Sequence, residues 1–429
     1  MSPSAGRISS VRTVTVQERR ARLGRRHLLT SERQAAPDRA AEVVRATRAM
    51  VCLHATDPAS VYLSAQARVP GLTRADVDRA LYEDRTLVKQ LCMRRTLFVL
   101  SRDLLGAAVA GAGQRVADAE RRRLARSIEA GGIAVDGAQW LVDAEAQVVR
   151  ALGSHPELTP AALRDLVPSL DATVRAGSGK WAADVPLAPR LLTILSAAGA
   201  AVRAHNRGGW MVSRPLWTSM HAWLGVPLDI PTPRAGRAAL VRAWLYTFGP
   251  GTVSDIAWWL GGTRAGVRHA LADVGAVEVT IEGSDEVGHL LPDDLDAVAE
   301  PDPWVALLPA LDPTVMGWTA REWYLGPHRD LLFDTNGNAG PTAWCDGRVV
   351  GGWHQDAEGR VVLDHLESLG SARRKALASS ADELTAWLAG DRVRLRFPSP
   401  LSKAGEASAG SPLTVTQKPR GSSPGRDGR

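Results

Sequence analysis

Residues 50–58 read MVCLHATDP, an apolar run that gives way at His54 and Thr56 before Asp57-Pro58 turns the chain. His54 and Thr56 are two positions apart, so in an extended segment both side chains point to the same side. An imidazole can hold a water molecule and accept its proton near neutral pH. A hydroxyl beside it can fix the same water through a second hydrogen bond. The pair is therefore a candidate water site. The competing interpretation is that it simply caps the end of a helix.

The element that must position the pair precedes it. DRAAEVVRATRAMVCL (38–53) has the period of an amphipathic helix, and Pro58 bars its continuation. Further along, one unit recurs. Within 252–291, Thr252 and Asp255 form a capping pattern, a short apolar helix follows, and Gly261-Gly262 breaks it. Thr263 then opens a second helix whose Val267, Ala270, Leu271 and Val274 share a face, and the strand-like runs AVEVTI and VGHLL follow. Helix, turn, helix, hairpin is the order of a winged helix-turn-helix. TRADVDRAL (73–81) repeats the lettering of TRAGVRHAL (263–271), with two strand-like runs behind it in 86–100. A looser copy comprises LTPAALRDL (158–166), VPLAPRLLTILSAAG (185–199) and a hairpin in 200–214 that turns at 206–209. Beyond residue 300, strand-like runs, an amphipathic helix at 371–390 and a last strand DRVRLRF (391–397) predict a small barrel-like domain.

The predicted fold class is thus α+β: three tandem winged helix-turn-helix units followed by a C-terminal β-barrel-like domain. The boundaries are 15–135, 136–233, 234–299 and 300–397, with disordered ends at 1–14 and 398–429. In a winged helix the second helix enters the major groove, which nominates Arg264, Arg268 and His269 as DNA contacts. The middle hairpin nominates His205 and Arg207 at phosphate. These units also pack on one another as scaffolds, which would leave the same arginines solvated. The segment 17–29, QERRARLGRRHLL, is either a basic contact helix or a solvated face.

Composition narrows the classes. The 429 residues carry 52 Lys and Arg against 46 Asp and Glu, net +6, which suits a polyanionic partner; a GC-rich genome would also enrich arginine. Cys52, Cys92 and Cys345 are too scattered for a disulfide framework or a zinc site, so no metal or cofactor is expected. No run is long enough to span a membrane, and the N-terminus lacks a secretory apolar region, which predicts a cytoplasmic, nucleoid-associated protein. Phosphate-loop, nucleophile-elbow, zincin and dinucleotide motifs are all missing, and His354 stands alone beside a hairpin turn. No heptad suggests a dimer, and no obligate protein partner is indicated.

CLHATDPASVYLSAQAR, LYEDRTLVKQLCMRRTLFVL, LLPALDPTVMGW and DGRVVGGW resemble the AlkZ/YcaQ-type family of winged-helix DNA glycosylases, across roughly residues 15–395. The resemblance implies three winged helices with a C-terminal barrel. The activity it implies is metal-free, monofunctional hydrolysis of the N-glycosidic bond of bulky N7-alkylguanines, including crosslinked ones. The implied partner is double-stranded DNA carrying alkyl adducts or crosslinks. The family's Gln-x-Gln or Gln-x-Asp motif falls at His54 and Thr56, so the chain departs from it at both positions. By position, His54 would take over water placement and also serve as a general base, with Thr56 as a second water ligand. Asp57 would offer negative charge to the oxocarbenium-like sugar or simply make the turn. Arg94, Arg95 and Thr96 fall where the family approaches the lesion. The alternative function is a non-catalytic winged-helix DNA-binding protein or regulator.

Overall fold

Thr252 opens the helix Val253–Leu260 through a reciprocal cap. Its hydroxyl accepts the Asp255 N–H at 3.1 Å, and the Asp255 carboxylate accepts the Thr252 N–H at 3.2 Å. Gly261 ends that helix at φ +62°, a left-handed conformation that a side chain would strain. Thr263 then caps the helix Arg264–Asp273 by accepting the Gly266 N–H, and Val267, Ala270 and Leu271 are buried as the period requires. The strands Val277–Ile281 and Gly288–Leu290 follow as an antiparallel hairpin. The structure, a computed structural model, describes residues 12–30, 37–176 and 183–409.

Two other stretches carry helices followed by a hairpin. Thr73 caps Arg74–Asp78, which continues as a π-helical turn over Arg79–Glu83; the strands Leu87–Leu91 and Leu97–Ser101 then pair, with Leu53–His54 on the outer edge of the second. The helices Pro160–Leu166 and Leu187–Ala197 precede the paired strands Ala201–Asn206 and Pro215–Ser219. That hairpin is longer than expected: its return strand starts at Pro215, and residues 207–214 form the loop. A small hairpin, Thr173–Ala176 with Ala183–Pro186, lies between the two helices and was not anticipated.

Three expectations are corrected. The C-terminal strands Val305–Leu308, Thr342–Cys345, Arg348–Gln355 and Val361–His365 pair in sequence order as an open antiparallel sheet, and no barrel closes among the described residues. The segment 391–397 makes no strand. Its backbone groups go to side chains instead: Val393 N–H donates to Gln355 Oε1 at 2.8 Å and Arg396 N–H to Asp57 Oδ2 at 3.5 Å. The ends are also more ordered than composition suggested. Thr13–Val14 adds a parallel strand to Val277–Ile281, and a helix, Pro400–Ala409, packs against Arg348–Gln355. The rest of the expected disorder, 1–11 and 410–429, lies outside the described residues.

The N-terminal helix Val16–Arg26 is neither a solvated face nor a free basic surface. Arg22 is 1% exposed and shares Asp294 with Arg26, while Arg19 lies over the Trp323 ring at 4.0 Å. One continuous apolar cluster runs from Leu23 to Val349, so the core is common to the repeated units and the C-terminal sheet. Within it, Arg68 on the helix Pro58–Gln66 side meets Asp312, both side chains 0% exposed, in a forked pair with two 2.8 Å bonds.

Candidate active site

The loop that carries the water-site candidates is fixed from both sides. Leu53–His54 pairs with Val99 and Phe98, and Ala55 N–H donates to Leu97 O at 2.9 Å. Asp57 then caps the helix Pro58–Gln66, accepting the Ala59 N–H at 3.3 Å. Strand alternation puts His54, Phe98 and Gln90 on one face of the three-stranded sheet and Leu53 and Lys89 on the other. The His54 ring meets the Phe98 edge with centroids 5.4 Å apart.

His54 and Thr56 are half-buried, and Asp57 is buried. Burial, and secondarily the positive charge of Arg94, lowers the His54 pKa to about 3, so the imidazole is neutral at physiological pH. Thr56 N–H donates to His54 Nδ1 at 3.4 Å. With Nδ1 accepting, the ring proton resides on Nε2, which presents a donor rather than a base. Burial raises the Asp57 pKa, opposed by the N–H groups of Arg396 and Ala59 and the Arg396 charge. Both Asp57 oxygens face backbone N–H groups, so the carboxylate holds the loop against residue 396. Arg396 also donates from Nη1 to Thr56 O at 3.2 Å.

Arg94 and Arg95 occupy left-handed conformations, φ 54° and 58°. The Arg94 guanidinium lies over the Trp258 ring at 4.3 Å, and Arg321 lies 4.8 Å from the same ring. Thus a tryptophan of the third repeat holds a cation of the first next to His54. Arg95 pairs with Glu120 at 3.3 Å, and Thr96 Oγ1 donates to Arg94 O at 3.4 Å.

The remaining candidates lie elsewhere. His205 stacks on Tyr82, meets Trp223 edge-on and places Nδ1 2.5 Å from Glu157 Oε1, an aromatic and hydrogen-bonded setting. Arg207 is exposed on the 207–214 loop. Arg264 pairs with Glu286 at 3.1 Å, and Arg268 and His269 are exposed on the same helix. Sequence reasoning missed Arg396, Trp258 and Arg321; only the alternation in DRVRLRF was a visible signal. Among the described residues no cluster of His, Cys, Asp or Glu is arranged to hold a metal ion.

A mixed α+β chain that gathers a neutral histidine, a hydroxyl and arginines on one small sheet fits proteins that act on a polyanion. The family of AlkZ-like DNA glycosylases matches residues 47–387, so the chain belongs to that family: it is a DNA glycosylase, and DNA is its partner. The fold is similar to that of Streptomyces sahachiroi DNA glycosylase AlkZ, with a TM-score of 0.68 and 21% identity over 89% of this chain and 98% of that one. Among curated proteins none matches the sequence. No described helix is long and apolar enough to cross a membrane.

Proposed function

We propose that the protein is a monofunctional glycosylase that hydrolyses the N-glycosidic bond of bulky N7-alkylated purines, crosslinked ones included, in duplex DNA. It would serve repair or self-resistance to an alkylating genotoxin. The observation that carries this reading is the bond from Thr56 N–H to His54 Nδ1 at 3.4 Å, which leaves Nε2 to donate. An N7-alkylpurine is already cationic, so the C1′–N9 bond breaks with its electron pair going to the purine, and no acid is needed. The water that attacks the oxocarbenium-like C1′ then needs placement more than deprotonation. His54 Nε2–H donates to the water oxygen and Thr56 Oγ1 accepts one of its hydrogens; once the oxygen has bonded to C1′, its surplus proton passes to bulk solvent. General-base action by His54 is not part of this reading, because a nitrogen with a pKa of about 3 is a poor proton acceptor at pH 7. Asp57 supplies a nearby carboxyl but chiefly holds the loop.

The DNA-facing surface in this reading comprises Arg94, Arg95 and Thr96 near the lesion, with Arg207, Arg264, Arg268 and His269 flanking it. The three helix–helix–hairpin repeats act as winged-helix units over 15–135, 136–233 and 234–299, and the protein works as a cytoplasmic monomer. Release of N7-alkylguanine from alkylated duplex tests this, comparing wild type with His54→Ala and Thr56→Ala at matched salt. The expected loss is at least about tenfold, or about 1.4 kcal/mol of barrier, with duplex affinity retained. No release from any of several adducts, with duplex binding intact, rejects the reading and leaves a non-catalytic DNA-binding protein.

A further inference from the structure

The segment 391–397 alternates between exposed and half-buried residues without pairing to any strand. Arg392, Arg394 and Arg396 are exposed, while Val393, Leu395 and Phe397 turn inward. Its course is set by side chains. Gln355 takes the Val393 N–H and donates to Asp391 O at 2.9 Å, and Arg396 bonds Asp57 and Thr56 through its backbone and guanidinium. Asp391, the only carboxylate in the segment, is engaged by Arg74 and by Trp210 Nε1 at 3.0 Å. Among the described residues none of the three arginines is ion-paired with a carboxylate. Arg392 Nη1 donates to Ala357 O at 2.9 Å and Arg396 Nη1 to Thr56 O, so backbone carbonyls hold two of the guanidinia in place while no described carboxylate within ion-pair distance cancels any of the three charges.

We propose that residues 391–397 form a phosphate rail for one DNA strand, whose three arginines lead that strand to the loop 54–57. This deepens the glycosylase reading and rests on DNA as the partner. In an extended chain alternate residues recur about every 6.6 Å, roughly twice the axial rise per nucleotide of one strand, so three flexible guanidinia can register with every second phosphate. Two observations fix direction and partner. The rail ends on the candidate water site, because the Arg396 guanidinium bonds the carbonyl of Thr56. It begins beside the 207–214 loop, which reaches Asp391 through Trp210 and exposes Arg207 and Arg214. Exposed arginines therefore stand at both ends of the segment.

The test is the salt dependence of binding to an undamaged duplex, using the full chain. Each lost phosphate contact reduces the slope of log K against log salt by about 0.9. R392Q/R394Q should therefore flatten the slope by about 1.8 and weaken binding at least tenfold near physiological salt. R392K/R394K keeps both charges and should retain most of the slope. Arg175→Gln removes a charge from the exposed Thr173–Ala176 hairpin and should leave it unchanged. A wild-type slope in R392Q/R394Q, or an equal fall per charge in Arg175→Gln, overturns the rail. Duplex binding with the expected slope changes but no base release supports the rail and rejects the catalytic reading. No duplex binding by the wild type overturns both.

Discussion

Replacing His54 by Gln tests whether the site imidazole is held neutral, and the expected size follows from its environment. In the unfolded chain the histidine titrates at about 6.5; in the folded protein its pKa is lowered to about 3 by burial and by Arg94. A depressed folded pKa means that the unfolded state binds the proton first, so stability is full above pH 6.5 and falls as pH drops towards 3. Between pH 7 and pH 5 the unfolded state gains about 2 kcal/mol from protonating this one ring, while the folded state gains almost nothing. Urea unfolding followed by tryptophan fluorescence should show the wild type losing about 2 kcal/mol more than His54→Gln over that interval. The subtraction matters because buried His27, also lowered to about 3, adds a similar loss to both proteins. Equal losses, within about 0.5 kcal/mol, would refute the reasoning: His54 would then titrate normally, and a general-base role would return. The companion expectation is kinetic. Single-turnover base release should be flat from pH 6 to 8, whereas a base titrating near 6.5 would give a rise through that range.

Three further outcomes are expected. Asp312→Asn leaves the Arg68 guanidinium buried without its counter-charge and should destabilise the fold by about 3–5 kcal/mol in denaturant titration. Gly261→Ala forces a side chain to φ +62° and brings its Cβ within 2.8 Å of Arg94 Cγ; it should lower stability by about 1–2 kcal/mol, with a loss of base release as Arg94 leaves Trp258. Asp57→Ala removes a helix cap worth about 1 kcal/mol and frees residue 396 from the loop, so base release should fall more than in Asp57→Asn, which keeps an acceptor.

The local grammar was legible because it is written in neighbours. Thr252 and Asp255, Thr73 and Asp76, and Gly261 each act within four residues, and each gives the cap or break its type predicts. The helix expected over 38–53 instead ends at Ala49, before the strand Leu53–His54, and Pro58 begins the next helix rather than stopping that one. The other failures are non-local. Alternation in 391–397 specifies which residues face out, but a strand also needs a partner edge, and here Gln355 and Asp57 take the backbone groups. Arg68 and Asp312 are 244 positions apart, and nothing in either stretch announces the other. The state of His54 was also out of reach. Its charge is decided by burial and by Arg94, neither of which can be placed around it before the sheet is assembled.

The bond between Arg396 and the carbonyl of Thr56 spans 340 residues, so it also sets an order in time. At roughly 5–20 residues per second, the ribosome needs about 17–70 s after making Thr56 before it makes Arg396. Throughout that interval the nascent chain can fold its first repeats and expose basic surface, yet the loop between His54 and Asp57 lacks its last clasp. Chains that terminate early keep that defect permanently. The loop 54–57 therefore reaches its full set of contacts only once residue 396 has been made.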